Sequence, residues 1–359
     1  DLLGNRQLLV SAALNGRLEE AQAFVAYQNS SRRTNWSVGA TQQPYFFLSG
    51  AGQTPFNSSG LAQQTQIIER YVIRQAFGQS AYPINRFERF EFGMQASSID
   101  RSRMFLSQTV NSFGYGGGIF VDSIRGSGTL NYLSPYVAYV ADNALQGITG
   151  PIYGHRYRAE IRPNFAGDSS WTSYTADFRR YDAIIFSFLT LATRINADIS
   201  VGRGELRYPK YIGYPYYMRG YDRENYLSAN CGTAGTSGSA DASTCSATQL
   251  LGSRFIVGNA ELRFPLVRRF DLGVLPISLP PIEGHLFYDA GMAWSGGQTI
   301  SVGRPDNYDF TKQRFLLRSF GYGIRMNLFN IAILRWDYSV PRDGFRTKGY
   351  WLFSIGQSY

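Results

Sequence analysis

The chain has 359 residues, 44% hydrophobic and 15% aromatic, enough for one large domain or two small ones, and it carries a formal charge of +9. Thirty-eight glycines, 25 Tyr and 25 Phe point to an all-β chain, because a helical protein of this size leans on Leu, Ala, Glu and Lys. The longest apolar run, 183–192, is half of the roughly 20 residues a membrane-spanning helix needs, and two cysteines with two histidines make a Cys/His metal site improbable.

Taken in chain order, strands are expected near 5–14, 18–28, 33–46, 64–75, 87–98, 131–143, 155–164, 172–181, 188–203, 253–266, 283–294, 315–328, 331–340 and 348–359. The signal is alternation with a period of two. Leu189, Leu191, Ile195, Ala197, Ile199 and Val201 fall on one face of 189–201, and Thr190, Arg194, Asn196, Asp198 and Ser200 fall on the other. The same holds for Phe320, Tyr322, Ile324, Met326 and Leu328 in 319–328, and for Ala332, Leu334, Trp336, Tyr338 and Val340 in 332–340. Each is about nine or more residues long, the length of a tilted strand crossing a bilayer. Longer polar connections are expected at 47–63, 99–130, 204–252 and 295–314. Within 99–130 two alternatives stand: extensions of the neighbouring strands, or an extra short hairpin. The N-terminus lacks a basic region followed by an apolar one, so the chain is expected to start after processing or inside a longer gene product.

The cations are nearly all arginine, with Lys210, Lys312 and Lys348 the lysines. Arg156, Arg158, Arg162, Arg179, Arg194, Arg263, Arg325 and Arg335 alternate with apolar residues, and Glu160, Asp177, Asp198, Glu261, Asp289 and Asp337 share their side. An arginine facing lipid near the bilayer midplane costs roughly 2–4 kcal/mol. The charged face is therefore expected to line a lumen, with Tyr and Trp at the ends of the opposite face as an interfacial girdle. A soluble β-sandwich with a polar outer face is the alternative. Cys231 and Cys245 flank a Gly/Ser/Ala-rich loop, and a disulfide is the better reading: it closes about 15 residues, contributes on the order of 3 kcal/mol and suits an oxidising compartment. His155 and His285 are expected to be satisfied lumenal or rim residues. "GYGGG" at 114–118 has no following Lys-Ser/Thr and is no phosphate loop, no G-x-S-x-G motif is present, and the paired Glu19 and Glu20 read as a solvated strand end. No enzymatic chemistry and no cofactor are expected.

Four motifs coincide: "MRGY" (218–221), "GNAELRFPL" (258–266), "LFYDAGMAW" (286–294) and "FSIGQSY" (353–359). Their order and spacing resemble the last strands of the outer-membrane barrels of the BamA-type assembly and translocation superfamily, the bacterial surface antigen family. "TADFRRYDAII" (175–185) and "SPYVAYVADNALQGITGPIYGHRYR" (134–158) look like the branch in which a TolB-like propeller precedes the barrel. The resemblance implies an antiparallel transmembrane β-barrel of 16 strands, about 14 of them (strands 3 to 16) over 1–359. Two strands and a periplasmic module would lie upstream, though a barrel of fourteen complete strands is the alternative. It implies that the loop 204–252 folds into the lumen, where Arg219, Gly220 and Tyr221 form the docking motif and Glu261 and Asp289 are the wall acids. Alternation independently puts both acids on the charged face. Phe353, Ile355, Gly356 and Tyr359 would form the terminal insertion signal and one side of a seam. The function implied is insertion or translocation of other polypeptides at the bacterial outer membrane. The alternative is a plugged anchoring barrel, a subunit of an envelope complex or the tether of a periplasmic module. The partners are then outer-membrane lipid, lipopolysaccharide and client or partner envelope proteins, with no nucleic acid and no small-molecule substrate.

Overall fold

A computed structural model describes residues 5–14, 21–111, 113, 116–117, 120–185, 188–221, 247–267, 270–271, 278–306, 308–309, 311–328, 332–343 and 348–356. Fourteen strands follow one another: β1 (Arg6–Ala13), β2 (Gln22–Asn29), β3 (Asn35–Gln53), β4 (Leu61–Pro83), β5 (Glu88–Asn111), β6 (Phe120–Asp142), β7 (Pro151–Asn164), β8 (Trp171–Ile185), β9 (Leu189–Gly202), β10 (Arg254–Val267), β11 (Ile282–Trp294), β12 (Leu317–Leu328), β13 (Ala332–Pro341) and β14 (Tyr350–Ile355). They pair in sequence order into one sheet, a meander without crossovers, with the short strand Leu145–Gln146 beside β7. Antiparallel registers run through it, such as Asn259↔Asp289 between β10 and β11. Among the described residues β1 and β14 each pair on one side only.

All fourteen expected strands are present; the expected loop 47–63 is largely strand, and in 99–130 the alternative of extended neighbouring strands holds. Residues 47–63 and 99–130 are mostly the prolonged ends of β3 to β6, which reach 19 to 24 residues each. The reason is visible in β5: Phe92 and Met94 stand exposed on one face, and farther along Ser98, Asp100 and Ser102 take the same positions. There the apolar face is interrupted, and the consecutive Met104, Phe105 and Leu106 that follow break the period-two signal although the strand continues to Asn111. The expected strand 348–359 is described as a strand over Tyr350–Ile355, and Glu19 and Glu20 lie outside the described residues.

The strands form two compact units: Asp1–Pro83 with Glu91–Val137 and Pro163–Gly167, and Ile84–Phe90 with Ala138–Arg162 and Asp168–Tyr359. In the first, the face opposite Phe92 and Met94 carries small and amide side chains. Gln95 Nε2 donates to Ser97 Oγ at 2.9 Å, and Ser134 Oγ donates to Asn164 Oδ1 at 2.6 Å.

The second unit separates charge from apolar surface strand by strand. On one face Phe90, Tyr139, Tyr157 and Phe178 form a row of rings 5.4 to 6.0 Å apart. Tyr322, Tyr338, Trp351, Trp336 and Phe353 make a second aromatic group over β12 to β14. His155 is not on the charged face: of the two expected settings the lumenal one does not apply to it, and it sits on this aromatic face near the start of β7, stacked on Tyr157 at 5.1 Å, because its odd position points with Tyr153 and Ile161 away from the arginines. The other face carries the expected ion pairs. Arg158 and Arg162 flank Glu160, and Arg179 and Arg194 share Asp177. The connections 203–253 and 295–316 leave the sheet at the same end. Between them lies a hydrophobic core of Ile212, Met218, Tyr221, Leu250, Phe255, Val257, Ala293, Phe315 and Leu317.

Candidate functional site

The site begins where the chain leaves β9. Lys210 and Tyr211 pair with Gly252 and Leu251, so the two arms of the long connection zip together at its base. Glu205 accepts hydrogen bonds from Arg254 Nη2 at 3.0 Å and from the Gly296 amide at 2.8 Å. Burial opposes ionisation of this carboxyl, but the two donors outweigh it and hold its pKa below the usual glutamate value. Beyond the zip, Tyr217 and Met218 donate their amides to Tyr214 O, a tight turn after which residues 218–221 run along the charged face. Arg194, itself 2% exposed, caps this stem by donating to Tyr216 O at 3.1 Å with its guanidinium 4.3 Å from the Tyr216 ring.

Arg219 lies at the tip, 1% exposed. Its amide donates to Asp289 Oδ2 at 3.1 Å, its Nε to the same oxygen at 2.6 Å, its Nη2 to Asp289 Oδ1 at 2.5 Å, and its Nη1 to Glu261 Oε1 at 2.6 Å. This is the fork-to-carboxylate geometry that a planar guanidinium makes and an ammonium cannot. The guanidinium carbon stands 3.6 Å from the centroid of the Phe287 ring, a cation–π contact in a desolvated setting. Phe287 reaches that position because Gly321 opposite has no side chain: a Cβ there would meet the ring at 2.7 Å.

The backbone of the motif is fixed as well. Ser319 Oγ donates to Arg219 O at 2.6 Å. Gly220 has φ +89°, the left-handed region that glycine enters without strain, and a Cβ on it would stand 3.2 Å from Ser319 Cβ. Tyr221 is buried, and its hydroxyl donates to Arg318 O at 2.8 Å and accepts from the Asp343 amide at 3.3 Å.

Around Glu261 the charges are denser than the sequence reading anticipated. Besides Arg219, its carboxylate accepts from Arg263 Nε at 2.9 Å, Arg325 Nη2 at 2.6 Å and Arg335 Nη2 at 2.8 Å. Asp289 takes a further bond from Asn259 Nδ2 at 2.8 Å. Asp337 pairs with Arg335 Nε at 2.6 Å and with His285 Nε2 at 2.7 Å. Four guanidinium groups and three carboxylates thus share one buried cluster. Buried charge is costly unless paired and hydrogen-bonded, and here every carboxylate has at least one arginine and one further side-chain partner.

Of the residues expected to act together, Arg219, Glu261 and Asp289 meet directly, with Gly220 and Tyr221 seated beside them. Phe353 and Ile355 lie exposed on the apolar face of β14, and Gly356 follows with φ +124°. Tyr359 and the pair Cys231 and Cys245 fall outside the described residues. The sequence reading missed Ser319, Phe287 and the role of Asp343. Only the alternation of Ser319, Gly321 and Gly323 with bulky residues hints that something packs closely there. His285 is buried on the charged face, as anticipated.

BamA from Haemophilus ducreyi lacking POTRA domains 1–3 superposes with a TM-score of 0.53 at 11% identity, covering 98% of this chain and 70% of that one. CdiB from Acinetobacter baumannii superposes with a TM-score of 0.52 at 15% identity, covering 99% of this chain and 53% of that one. At such identities the likeness is one of fold: an all-β antiparallel sheet of the kind that builds these outer-membrane barrels. No curated protein sequence matches the chain. The model of the Omp85 superfamily domain matches residues 88–359, which is more than half of the chain and holds the whole Arg219 cluster, and the chain belongs to the Omp85 superfamily.

Proposed function

We propose that this chain is the barrel of an outer-membrane protein that inserts or translocates other polypeptides, working through a lateral seam and without a cofactor. The observation that carries the reading is the Arg219 cluster: a loop tip seated on two acids from adjacent strands, Glu261 and Asp289. The charged face lines the lumen, the aromatic face meets lipid, and the docked tip keeps the barrel shut and its strands in register at rest. We place the seam at β14, which among the described residues pairs on one side and exposes Trp351, Phe353 and Ile355, because a weakly paired edge can template an incoming strand. Gly356, with Tyr359 beyond it, lets the strand end bend away from its neighbour.

A second reading is favoured by how thoroughly the charged face is filled. A lumen crossed by a docked tip and a buried arginine cluster also suits a plugged barrel that anchors a periplasmic module or serves an envelope complex. Depleting the full-length protein and taking an inventory of the outer membrane separates the two. Loss of particular outer-membrane proteins is the expected result, and an unaltered inventory favours the anchor. Cys231 and Cys245 are taken as a disulfide that pins the outer part of the loop, to be checked by thiol labelling with and without reductant.

A further inference from the structure

At the opposite end of the strands from the 203–253 connection, β6 and β7 are joined by a turn that does not stay at the rim. Gly147 and Gly150 close it, the amide of the first donating to the carbonyl of the second at 2.8 Å. The turn then reaches across the charged face to strands distant in sequence. Asn327 Nδ2 at the end of β12 donates to Ile148 O, and Arg263 Nη1 of β10 donates to Pro151 O at 3.2 Å. Thr149 is 3% exposed. A Cβ on Gly150 would stand 3.6 Å from Arg263 Nη1 and 3.7 Å from Arg325 Nη1, so this backbone lies directly against two arginines of the Glu261 cluster.

The cluster is therefore held from both ends, and one residue joins the two. Glu261 Oε1 accepts from Arg219 of the loop tip, while its Oε2 accepts from Arg263 and Arg325, the two that face the turn. Arg263 completes the path, one nitrogen on Glu261 and another on Pro151 O. Freeing Arg219 leaves Glu261 Oε1 with Arg335 alone, so the carboxylate re-centres among its three remaining arginines and shifts Arg263 and Arg325 from their places under the turn. Freeing the turn lets the same two arginines move, and Glu261 then no longer presents Oε1 to Arg219. Coupling between two sites is reciprocal when each biases one shared element.

We propose that the turn Gly147–Gly150 is a second latch on this face, coupled to the loop tip Met218–Tyr221 through Glu261 and Arg263, so that release of either latch loosens the other. The proposal rests on Arg219 being the resting-state lock. Its consequence is that a partner acting on the turn from one side of the membrane shifts the loop tip near the other, with no contact between the two segments.

Hydrogen–deuterium exchange on the full-length protein in lipid tests this, read at residues 145–151 and 214–221. Arg219→Gln and Asn327→Ala are the two probes, and Ser319→Ala is a milder release of the tip should Arg219→Gln fail to fold. Each is expected to speed exchange in both segments, on the order of tenfold at the remote one, within the range for coupled sites. If each variant loosens only its own segment, the coupling is overturned and the lock stands. If Arg219→Gln and Ser319→Ala leave even 214–221 unchanged, the lock itself is overturned, and the coupling with it.

Discussion

Arg219 and Asp289 meet through three donors on one side chain and its own backbone, so that the amide, Nε and Nη2 of a loop residue all close on a single carboxylate of β11. Loops held this way do not drift. Replacing Arg219 by Lys keeps the charge but loses the fork, and replacing it by Glu sets three carboxylates together. Breaking one partner out of a buried ion pair costs about 3–5 kcal/mol. The Glu variant is expected to lose its folded, fast-migrating form on a detergent gel at a clearly lower temperature than wild type, with Lys between them. Unchanged heat-modifiability of Arg219→Glu argues against the lock.

Glu261 and Asp289 are unequal partners. Glu261 answers four arginines, whereas Asp289 answers Arg219 and Asn259. Glu261→Gln therefore leaves four buried cations against two anions and is expected to lower the unfolding midpoint more than Asp289→Asn. Equal effects, or the reverse order, would show that the cluster is not organised around Glu261.

Much of this was legible in the chain and some was not, for physical reasons. Charged residues that alternate with apolar ones have one place to go in a half-buried strand, so Arg194, Arg263, Arg325, Glu261 and Asp289 were assigned to a common face correctly. Periodicity says which side a residue faces but not how far along it sits. Hence the convergence of Arg263, Arg325 and Arg335 on Glu261, set by the stagger of β10, β12 and β13, was invisible. The far end of β5 stood only as one of two alternatives because Ser98, Asp100 and Ser102 interrupt the apolar face that would alternate. The inward turn 147–150 gave no signal either, since its bonds use backbone carbonyls, which any sequence supplies.

The backbone at Gly220 offers a smaller perturbation. Ala at φ +89° costs about 1–2 kcal/mol for the left-handed conformation alone, and its Cβ would press on Ser319. Ser319→Ala removes the bond to Arg219 O and is expected to cost about 1 kcal/mol. Urea titrations of the folded protein should rank wild type, Ser319→Ala and Gly220→Ala in falling order of stability, and a Gly220→Ala midpoint equal to wild type would contradict the left-handed tip.

Acid should loosen the base of the loop through Glu205. Its carboxyl is held below the ordinary value of 4.5 in the folded protein. The folded state therefore binds fewer protons than the unfolded state just below pH 4.5, and stability falls as pH drops through that window. Protease sensitivity of the 203–253 connection is expected to rise there in wild type. The rise should be absent in Glu205→Gln, which lacks the titrating group and is looser at every pH.

The two faces can be told apart by placing the same charge on each. Ile195 is 55% exposed on the apolar face of β9, and its neighbour Asn196 is buried on the charged face. Arginine at Ile195 is expected to cost roughly 2–4 kcal/mol in a bilayer. Folding into lipid vesicles should suffer at position 195 and gain nothing from moving the vesicles to higher salt. Equal tolerance of Ile195→Arg and of leucine at that position would mean that this face does not meet lipid.

The most direct test of the proposed function is photocrosslinking in living cells, with a photoreactive residue at Ile355 on β14 and, as the reference, at Ile195 on the interior strand β9. Adducts with other outer-membrane polypeptides at position 355 and none at 195 are the predicted result. Equal, lipid-only labelling at both positions would contradict a seam that handles polypeptides.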